Sequence, residues 1–382
     1  MALASATRAT ADDEVLPWVK AELSYLAPTA ERPRTYTYDP PPGLPRSTAV
    51  NEPHTVAIED ARPILPRLSL DEQGFSLVPH ASAVRDFYDE AEVKAVYYPE
   101  AERLLQALTG ADRVHVFDST VRRRVPGAED RLAGQPRQPV PRVHVDHTER
   151  SGPQRVRELL PEEAERLLGG RVQIINLWRP IRGPLRDMPL AVADARTVRP
   201  EQLVASDLVY EHRVGETYGV TFDPAHRWYY FPLMQADEVL LLKCYDSRND
   251  GRARFTPHTA FADPTTPAGA SPRESIELRA LVFHAAKAAR AAPRWALTRG
   301  FGRAHPPAAT AMRPPRGEAS PAAPPAADQC RWHARMEAAD RRVHSAPVRR
   351  WAFATVDPTC APPCLQRRLH DMRPVGVDAQ AC

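Results

Sequence analysis

Two histidines and one aspartate in this sequence could together bind a transition metal. His144 and Asp146 are one residue apart, and His258 follows much later in the chain. On a strand, residues i and i+2 point the same way, so His144 and Asp146 can reach one ion together. Two imidazoles and one carboxylate hold non-heme Fe(II) on one face and leave the opposite face open for substrate and oxygen. The spacing therefore predicts an iron site of the oxygenase type, with His144, Asp146 and His258 as ligands.

A carboxylate-binding element follows His258. Arg273-Glu-Ser275 opens a β-rich run whose alternation puts Arg273, Ser275 and Glu277 on one face. A guanidinium assisted by a hydroxyl two residues on can hold a carboxylate in bidentate fashion. We therefore expect Arg273 and Ser275 to bind the far carboxylate of 2-oxoglutarate.

His226 competes with His258 for the third ligand position. His226 is closer to Asp146 in sequence, but no Arg-x-Ser element follows it at a useful distance. It also begins a strand instead of ending the domain. His258 is therefore favoured, and His226 is expected to contact substrate or to orient the core.

Residues 171–180 are predicted to form a strand that passes the site. Its alternation puts Ile174, Asn176 and Trp178 on one face. The Asn176 amide could contact the cosubstrate, and the Trp178 indole could shape the substrate pocket. The alternative is that Trp178 is a core residue.

Local patterns predict the elements that position these residues. A helix is expected over residues 81–108, broken near Pro99 and ended by Gly110. The proline-rich residues 31–66 should run extended over the surface, and an arginine-rich, flexible segment is expected at 122–142. A second helix is predicted at 153–168. Further strands are predicted at 113–117, 189–194, 215–222, within 234–246, at 252–261 and at 273–283.

Composition restricts the class of protein. The 382 residues carry a formal charge of only +3, so no strong field attracts nucleic acid or an anionic membrane. The N-terminus lacks an apolar signal region, and no run is long enough to cross a bilayer. Most cysteines lie in the tail, which does not suit a secreted disulfide scaffold. The sequence thus predicts a cytoplasmic protein that binds neither nucleic acid nor membrane.

The chain divides into three parts by composition. Residues 1–14 are predicted to be a disordered leader, and residues 15–288 the catalytic domain. Residues 289–382 are low in complexity and are predicted to be mostly disordered, either a partner-binding extension or a gene-model artefact. A zinc site is a weaker alternative for the tail, with candidate ligands Cys330, His333, Cys360 and Cys364.

Six segments together resemble a known family, the gibberellin desaturase, AsaB and CmcJ-like oxygenases. The segments are 143–148, 176–180, 226–230, 245–247, 257–261 and 272–277. The resemblance implies a mainly β fold with flanking helices around a double-stranded β-helix (jelly-roll, cupin-like) core. It also implies His144, Asp146 and His258 as iron ligands and Arg273 as the cosubstrate anchor. The stretch between His258 and Arg273 is longer than usual for such oxygenases, which leaves Arg279 as a rival anchor.

The predicted function is that of an Fe(II)/2-oxoglutarate-dependent oxygenase. It would use O2 to hydroxylate or desaturate a small-molecule secondary metabolite, with the cofactor carrying the hard chemistry. Two other classes are open: a cupin-like metal-dependent hydrolase or isomerase, and a non-catalytic β-barrel that binds small molecules. The sequence does not choose between hydroxylation and desaturation, and it names neither the substrate nor the oligomeric state.

Overall fold

Two facing β-sheets with flanking helices are seen in a computed structural model of the chain, which describes residues 15–128, 130 and 137–285. The predicted leader, the predicted tail and the alternative zinc site lie outside these residues. The strands in chain order are β1 (Trp18–Leu26), β2 (Arg34–Tyr36), β3 (Asn51–Asp60), β4 (Phe75–Pro79), β5 (Arg113–Arg123), β6 (His144–Val145), β7 (Arg171–Pro180), β8 (Leu190–Ala193), β9 (Leu203–Val209), β10 (Val214–Val220), β11 (Trp228–Tyr230), β12 (Glu238–Asp246), β13 (His258–Ala260) and β14 (Glu274–His284).

Both sheets have an order that differs from the chain order. The smaller sheet has five antiparallel strands in the order β4-β12-β7-β14-β5. The larger sheet has nine strands in the order β1-β3-β11-β8-β13-β6-β10-β9-β2. Two of its pairings, β11 with β3 and β2 with β9, are parallel. The strand β13 therefore lies between β8 and β6, although it comes late in the chain.

The main core lies between the two sheets. In β7 the side chains alternate as predicted: Ile174 and Trp178 belong to the core between the sheets, whereas Ile175 and Leu177 pack toward the helices on the other side. Because successive side chains of a strand point to opposite faces, β7 contributes to both clusters. Asn176 shares the inward face and is fully buried.

The first helical region starts later than predicted. It comprises α1 (Glu90–Glu92), a π-helical turn (Val93–Tyr97) and α2 (Tyr98–Thr109). The Asp89 carboxylate accepts hydrogen bonds from two backbone amides and so caps the start of α1. Residues 81–89 are not helical, and the prediction for them was wrong. Gly110 ends α2 with a positive φ of 67°, which a residue without Cβ adopts readily.

The remaining helices are short. The predicted helix over 153–168 is present as two pieces, α3 (Ser151–Leu159) and α4 (Ala164–Leu168). Three 3₁₀ turns complete the helical elements of the described residues, at Leu65–Arg67, Ala195–Thr197 and Pro200–Gln202. In the part of the chain that the structure describes, no helix is both long and apolar enough to span a lipid bilayer.

The N-terminal region is more regular than predicted. Strands β1 and β3 pair along their whole length, from Trp18 opposite Glu59 to Leu26 opposite Asn51. The residues predicted to run extended, 31–66, thus include β2 and β3, which belong to the nine-stranded sheet. Strand β5 also continues to Arg123, so Arg122 lies in a strand and not in a flexible segment.

Candidate metal centre

The two predicted histidine ligands face each other across adjacent strands. His144 in β6 is the direct antiparallel partner of His258 in β13, and their ring centroids are 4.4 Å apart. Asp146 follows β6 immediately. Ligand atoms of His144, Asp146 and His258 all lie within 4.8 Å of one another. The structure thus brings together the three residues that the sequence predicts as ligands.

Hydrogen bonds to the backbone set the orientation of both imidazoles. The Nδ1 atom of His144 lies 2.8 Å from the carbonyl oxygen of Arg142, and Nδ1 of His258 lies 3.0 Å from that of Thr256. A carbonyl can only accept, so each Nδ1 carries a hydrogen, and Nε2 is the nitrogen that holds a lone pair when the ring is neutral. Burial, and then the neighbouring His258, holds the pKa of His144 well below its usual value. The His144 ring is therefore neutral, and its Nε2 lone pair is available.

Asp146 is held as an ionised carboxylate. Burial alone would raise its pKa, but the Arg279 guanidinium and the two histidines outweigh burial and hold that pKa well below its usual range. The Asp146 oxygen Oδ2 accepts hydrogen bonds from Asn176 Nδ2 and from Arg279 Nε, each at 2.8 Å. The other oxygen, Oδ1, lies 3.5 Å from His144 Nε2. One oxygen of Asp146 is thus fixed by the protein and the other is turned toward the histidines.

Arg279 is fully engaged within the protein. Besides Asp146, its guanidinium donates to Asp118 at 3.0 Å, Thr120 at 3.2 Å and Glu277 at 2.6 Å. Asn176 lies opposite Arg279 in the pairing of β7 with β14, and its Nδ2 also donates to Glu277 at 3.0 Å. Both residues were expected to contact the cosubstrate. Their observed contacts are with the Asp146 carboxylate and its neighbours, and Oδ1 of Asn176 has no hydrogen-bond partner among the described residues.

Arg273 lies buried with no ion pair to any carboxylate of the described residues. Its Nε donates to Ser275 Oγ at 3.1 Å, and its Nη1 donates to the Met188 carbonyl at 2.8 Å. Its guanidinium carbon lies 4.8 Å from the centre of the Trp178 ring, which is a cation–π contact. Burial, and then the adjacent Arg122 charge, lowers the pKa of Arg273 to about 9. A buried cation in this setting favours the arrival of an anion.

A cavity of about 670 Å³ opens onto this site and is lined by both His144 and Asp146. Arg122 and Arg142 also line it, whereas Arg273 does not. Arg122 lies opposite Ser275 in the pairing of β5 with β14, so its positive charge is next to the Arg273-x-Ser275 element. Its Nη1 donates to the Gln138 carbonyl at 2.9 Å, and burial lowers its pKa to about 10.

Sequence reasoning missed Arg122 and Arg142 as site residues, although a usable signal exists for Arg142. Arg142 precedes His144 by two positions, the same spacing that links His144 to Asp146. Arg122 follows Thr120 by two positions on β5, and both line the cavity. The inward face of a strand repeats every second residue, so extending the alternation of His144 and Asp146 by one step would have found Arg142. Arg122 had no such signal, because the strand was predicted only over 113–117.

His226, the competing ligand, lies elsewhere. Its Nε2 lies 2.9 Å from Gln202 Oε1 and its Nδ1 lies 3.3 Å from the Tyr25 hydroxyl. The His226 ring also stacks on Tyr25. Both ring nitrogens therefore have partners, and His226 is not part of the cluster of potential ligands. His226 holds Tyr25 and Gln202 in place within the protein, in keeping with the expectation that it orients the core.

Comparisons with known proteins agree with this geometry. The family described as "Oxidoreductase/YMDC permease-like domain" matches residues 23–283. The Fe(II)/2-oxoglutarate-dependent dioxygenase nvfI of Aspergillus novofumigatus is 34% identical over 275 residues, which are 70% of this chain and 97% of that protein. The hydroxylase/desaturase efuI of Hormonema carpetanum is 38% identical over 248 residues, 60% of this chain and 83% of that protein.

A solved structure extends the likeness to the fold. The iron and alpha-ketoglutarate-dependent endoperoxidase NvfI superimposes with a TM-score of 0.65 at 32% sequence identity. The alignment covers 70% of this chain and 99% of that chain. The predicted fold, a double-stranded β-helix core of mainly β structure with flanking helices, is confirmed.

Proposed function

Because this chain belongs to the family of Fe(II)/2-oxoglutarate-dependent hydroxylases and desaturases, we propose that His144, Asp146 and His258 are its iron ligands. We further propose that Arg273, assisted by Ser275, binds the distal carboxylate of 2-oxoglutarate. When bound, the iron and 2-oxoglutarate supply the activation of O2 that oxidises an unactivated carbon of the substrate. The observation that carries the proposal is the convergence of the three side chains within 4.8 Å.

The chemistry of the donor set fits ferrous iron. Two imidazoles that present Nε2 and one ionised carboxylate are the donor set that would hold Fe(II) on one face and leave its other positions for substrate and oxygen. Backbone carbonyls orient both rings, and such partners of the ligands are characteristic of metal sites in proteins. Asn176 and Arg279 take the same supporting role for Asp146, since both donate to its Oδ2.

The cationic region next to Ser275 fits the cosubstrate. Arg273 is buried and has no carboxylate partner among the described residues, so an arriving carboxylate would relieve the cost of burying its charge. Arg122 adds a second positive charge beside Ser275 and reaches the cavity wall. Ser275 Oγ accepts from Arg273 Nε, which leaves the hydroxyl hydrogen free to donate to the bound acid. These contacts support Arg273 over Arg279, because every nitrogen of the Arg279 guanidinium already donates within the protein.

The substrate is a small organic molecule, and O2 is the second substrate. Relatives are named as hydroxylases/desaturases and one as an endoperoxidase. We infer that this chain hydroxylates or desaturates a secondary metabolite in the cavity beside His144. The side chains on its walls position the target carbon, while Asp146 stays ionised. A hydrolase or a purely binding barrel would not need an anion site next to Ser275.

An anaerobic titration tests this assignment. Purified protein with Fe(II) and 2-oxoglutarate should develop the weak visible charge-transfer band of the chelated cosubstrate. His144→Ala and His258→Ala should each abolish the band, whereas the control His226→Ala should keep it, because His226 contacts Tyr25 and Gln202 instead. A band that persists in folded His258→Ala would overturn the ligand assignment. Loss of the band in His226→Ala alone would transfer the role to the competing histidine.

A further inference from the structure

Arg142 is a cation in the cavity wall, and it forms an isolated β-bridge with Ser24 just before β6. It precedes His144 and Asp146 in steps of two, and all three line the same cavity. Its neighbour Val143 donates its backbone N–H to the Ser24 carbonyl at 2.8 Å, so β1 braces this part of the chain. The Arg142 side chain has no hydrogen bond or ion pair with any residue that the structure describes.

The other cavity arginines on this side of the site are already paired. Arg155 donates to Glu158 at 3.1 Å, and Arg213 lies over the Tyr210 ring at 4.0 Å. The remaining pairs in the wall are Arg137 with Asp130 and Arg279 with Asp118 and Asp146. Glu216, which also lines the cavity, is bound by Arg32 and Arg150. The carboxylates of the wall thus have other partners, and Arg142 keeps an unsatisfied charge.

Arg142 is half-buried, and no ion pair with a described residue offsets the cost of taking its charge partly out of water. Arginine stays protonated in proteins, so it cannot escape the cost by losing a proton. A bound anion would satisfy the planar guanidinium with two parallel hydrogen bonds.

The cosubstrate does not account for this position. A molecule of 2-oxoglutarate has two carboxylates, of which the proposed function assigns one to the metal and one to Arg273 in the five-stranded sheet. Arg142 lies at the opposite, nine-stranded sheet, because it precedes β6 and forms a bridge with Ser24 of β1. A different anion is therefore needed there. Apolar wall residues lie in the same cavity, among them Phe117, Leu208, Tyr210 and Val214.

Building on the proposed function, we propose that Arg142 binds a carboxylate of the substrate, so that the enzyme acts on small organic acids with an apolar skeleton. A single guanidinium matches one monoanionic carboxylate, and the apolar side chains among the lining residues can contact the carbon frame that carries it. The carboxylate would fix the orientation of the substrate, and with it the carbon that faces the metal. Arg142 is thus a specificity-determining residue.

A pair of fluorescent probes tests this inference. Dansylglycine carries a carboxylate, and dansylglycine amide has the same body without the charge. Binding of each to protein loaded anaerobically with Fe(II) and saturating 2-oxoglutarate is followed by fluorescence anisotropy. Because a hydrogen bond to a charged group contributes about 1.5–3 kcal/mol, dansylglycine should bind about 10- to 100-fold more tightly than the amide.

Matched variants locate the source of the preference. Arg142→Met should reduce it to less than about 3-fold, and Arg142→Lys should retain part of it. Arg155→Met should keep it, because Arg155 lines the same cavity but is paired with Glu158. The inference is overturned if wild-type protein does not prefer the acid, or if Arg142→Met keeps the full preference.

The charge-transfer band distinguishes a failure of the Arg142 inference from a failure of the proposed function. The band should be unchanged in Arg142→Met, because Arg142 does not contact the proposed anchor Arg273. If wild-type protein forms no band, the proposed function fails, and the probes are then compared without iron and 2-oxoglutarate. If the probes still show a preference for the acid that depends on Arg142, the anion site is supported independently of iron. If they show no such preference, the anion site is refuted.

Discussion

The Nε atom of Arg279 lies 2.8 Å from Oδ2 of Asp146, the carboxylate oxygen that does not approach His144. The two residues come from distant parts of the chain, and both are buried from solvent for the most part. This ion pair fixes one oxygen of the carboxylate and leaves the other to turn toward the histidines. Arg279 therefore positions Asp146, a proposed metal ligand.

Removing this support should weaken iron binding. Arg279→Met leaves the buried Asp146 carboxylate with Asn176 as its one remaining side-chain donor among those described. Loss of such a partner typically reduces metal affinity about 10- to 100-fold. Fe(II) affinity, measured by anaerobic competition with a chelator, should fall by that factor. An unchanged iron affinity together with a raised KM for 2-oxoglutarate would instead identify Arg279 as the anchor.

Arg273→Met should have the opposite effect: it should weaken the binding of 2-oxoglutarate and leave the binding of Fe(II) nearly unchanged. It removes a buried charge-assisted contact to the cosubstrate, worth about 1.5–3 kcal/mol, so 2-oxoglutarate affinity should fall at least about 10-fold. Fe(II) affinity should stay within about 3-fold of wild type, because the contacts of Arg273 are with Ser275, Met188 and Trp178 and not with a proposed ligand. The affinity for 2-oxoglutarate is measured by titrating 2-oxoglutarate at saturating Fe(II) and following the charge-transfer band. If the midpoint of this titration is the same in Arg273→Met as in wild type, Arg273 is not the anchor of the cosubstrate.

Gly74 supports His258, the proposed third ligand, through Thr256. It has a φ of +91°, and an added Cβ would overlap the Thr256 hydroxyl, which donates to the Gly74 carbonyl at 3.0 Å. The Thr256 carbonyl in turn accepts from His258. Gly74→Ala should lower the free energy of unfolding by about 2–4 kcal/mol, through left-handed strain and overpacking together.

Gly110→Ala is the matched control for this change. Gly110 has a φ of +67° and open space around the position of a Cβ, so its substitution should cost only the strain, about 1–2 kcal/mol. Urea denaturation of both variants measures the difference. If Gly74→Ala and Gly110→Ala lose the same free energy of unfolding, the overlap of the new Cβ with Thr256 does not destabilise the protein.

Glu216 should make the fold sensitive to acid. Burial opposes its ionisation, but hydrogen bonds from Arg150, Thr148 and Arg32 outweigh burial and lower its pKa from 4.5 to about 2. Its folded pKa is depressed, so the stabilisation is fully present above pH 4.5 and is lost as the pH falls toward 2.

Glu216→Gln should therefore cost about 1–3 kcal/mol at pH 7. The difference from wild type should shrink between pH 4.5 and pH 2, because the wild-type carboxylate becomes protonated over that range. Thermal unfolding of both proteins across this window is the measurement. A difference that stays constant with pH would show that the ionised form of Glu216 does not contribute.

The sequence contained enough to predict the strands that carry the site. The alternation in residues 171–180 correctly separated Asn176 and Trp178 from Ile175 and Leu177. That success has a physical basis, because a strand buried on both faces must divide its side chains between two packed layers. The i, i+2 spacing of His144 and Asp146 also predicted their common direction.

The pairing between strands could not be predicted. Arg279 lies opposite Asn176 because β14 adopts one particular register on β7, and a bulge follows between Arg279 and Ala280 on its other side, facing β5. Register depends on contacts between residues far apart in sequence, which periodicity within one strand does not report. The competition between Arg273 and Arg279 was therefore undecided at the sequence level.

The N-terminal strands were missed for a different reason. Most of β3 is partly or fully exposed, and it includes Pro53, so its pattern is typical of a surface segment. Its strand conformation comes from pairing with β1 along its whole length and with β11 at its end. This is tertiary structure overriding weak local preference.

The position of β13 between β8 and β6 has a consequence for biosynthesis. During translation His144 and Asp146 emerge long before His258, and until then β6 lacks β13, one of its two neighbouring strands. The three proposed ligands therefore come together only after β13 has been synthesised and has paired with β6. Pairings this distant in sequence also form slowly.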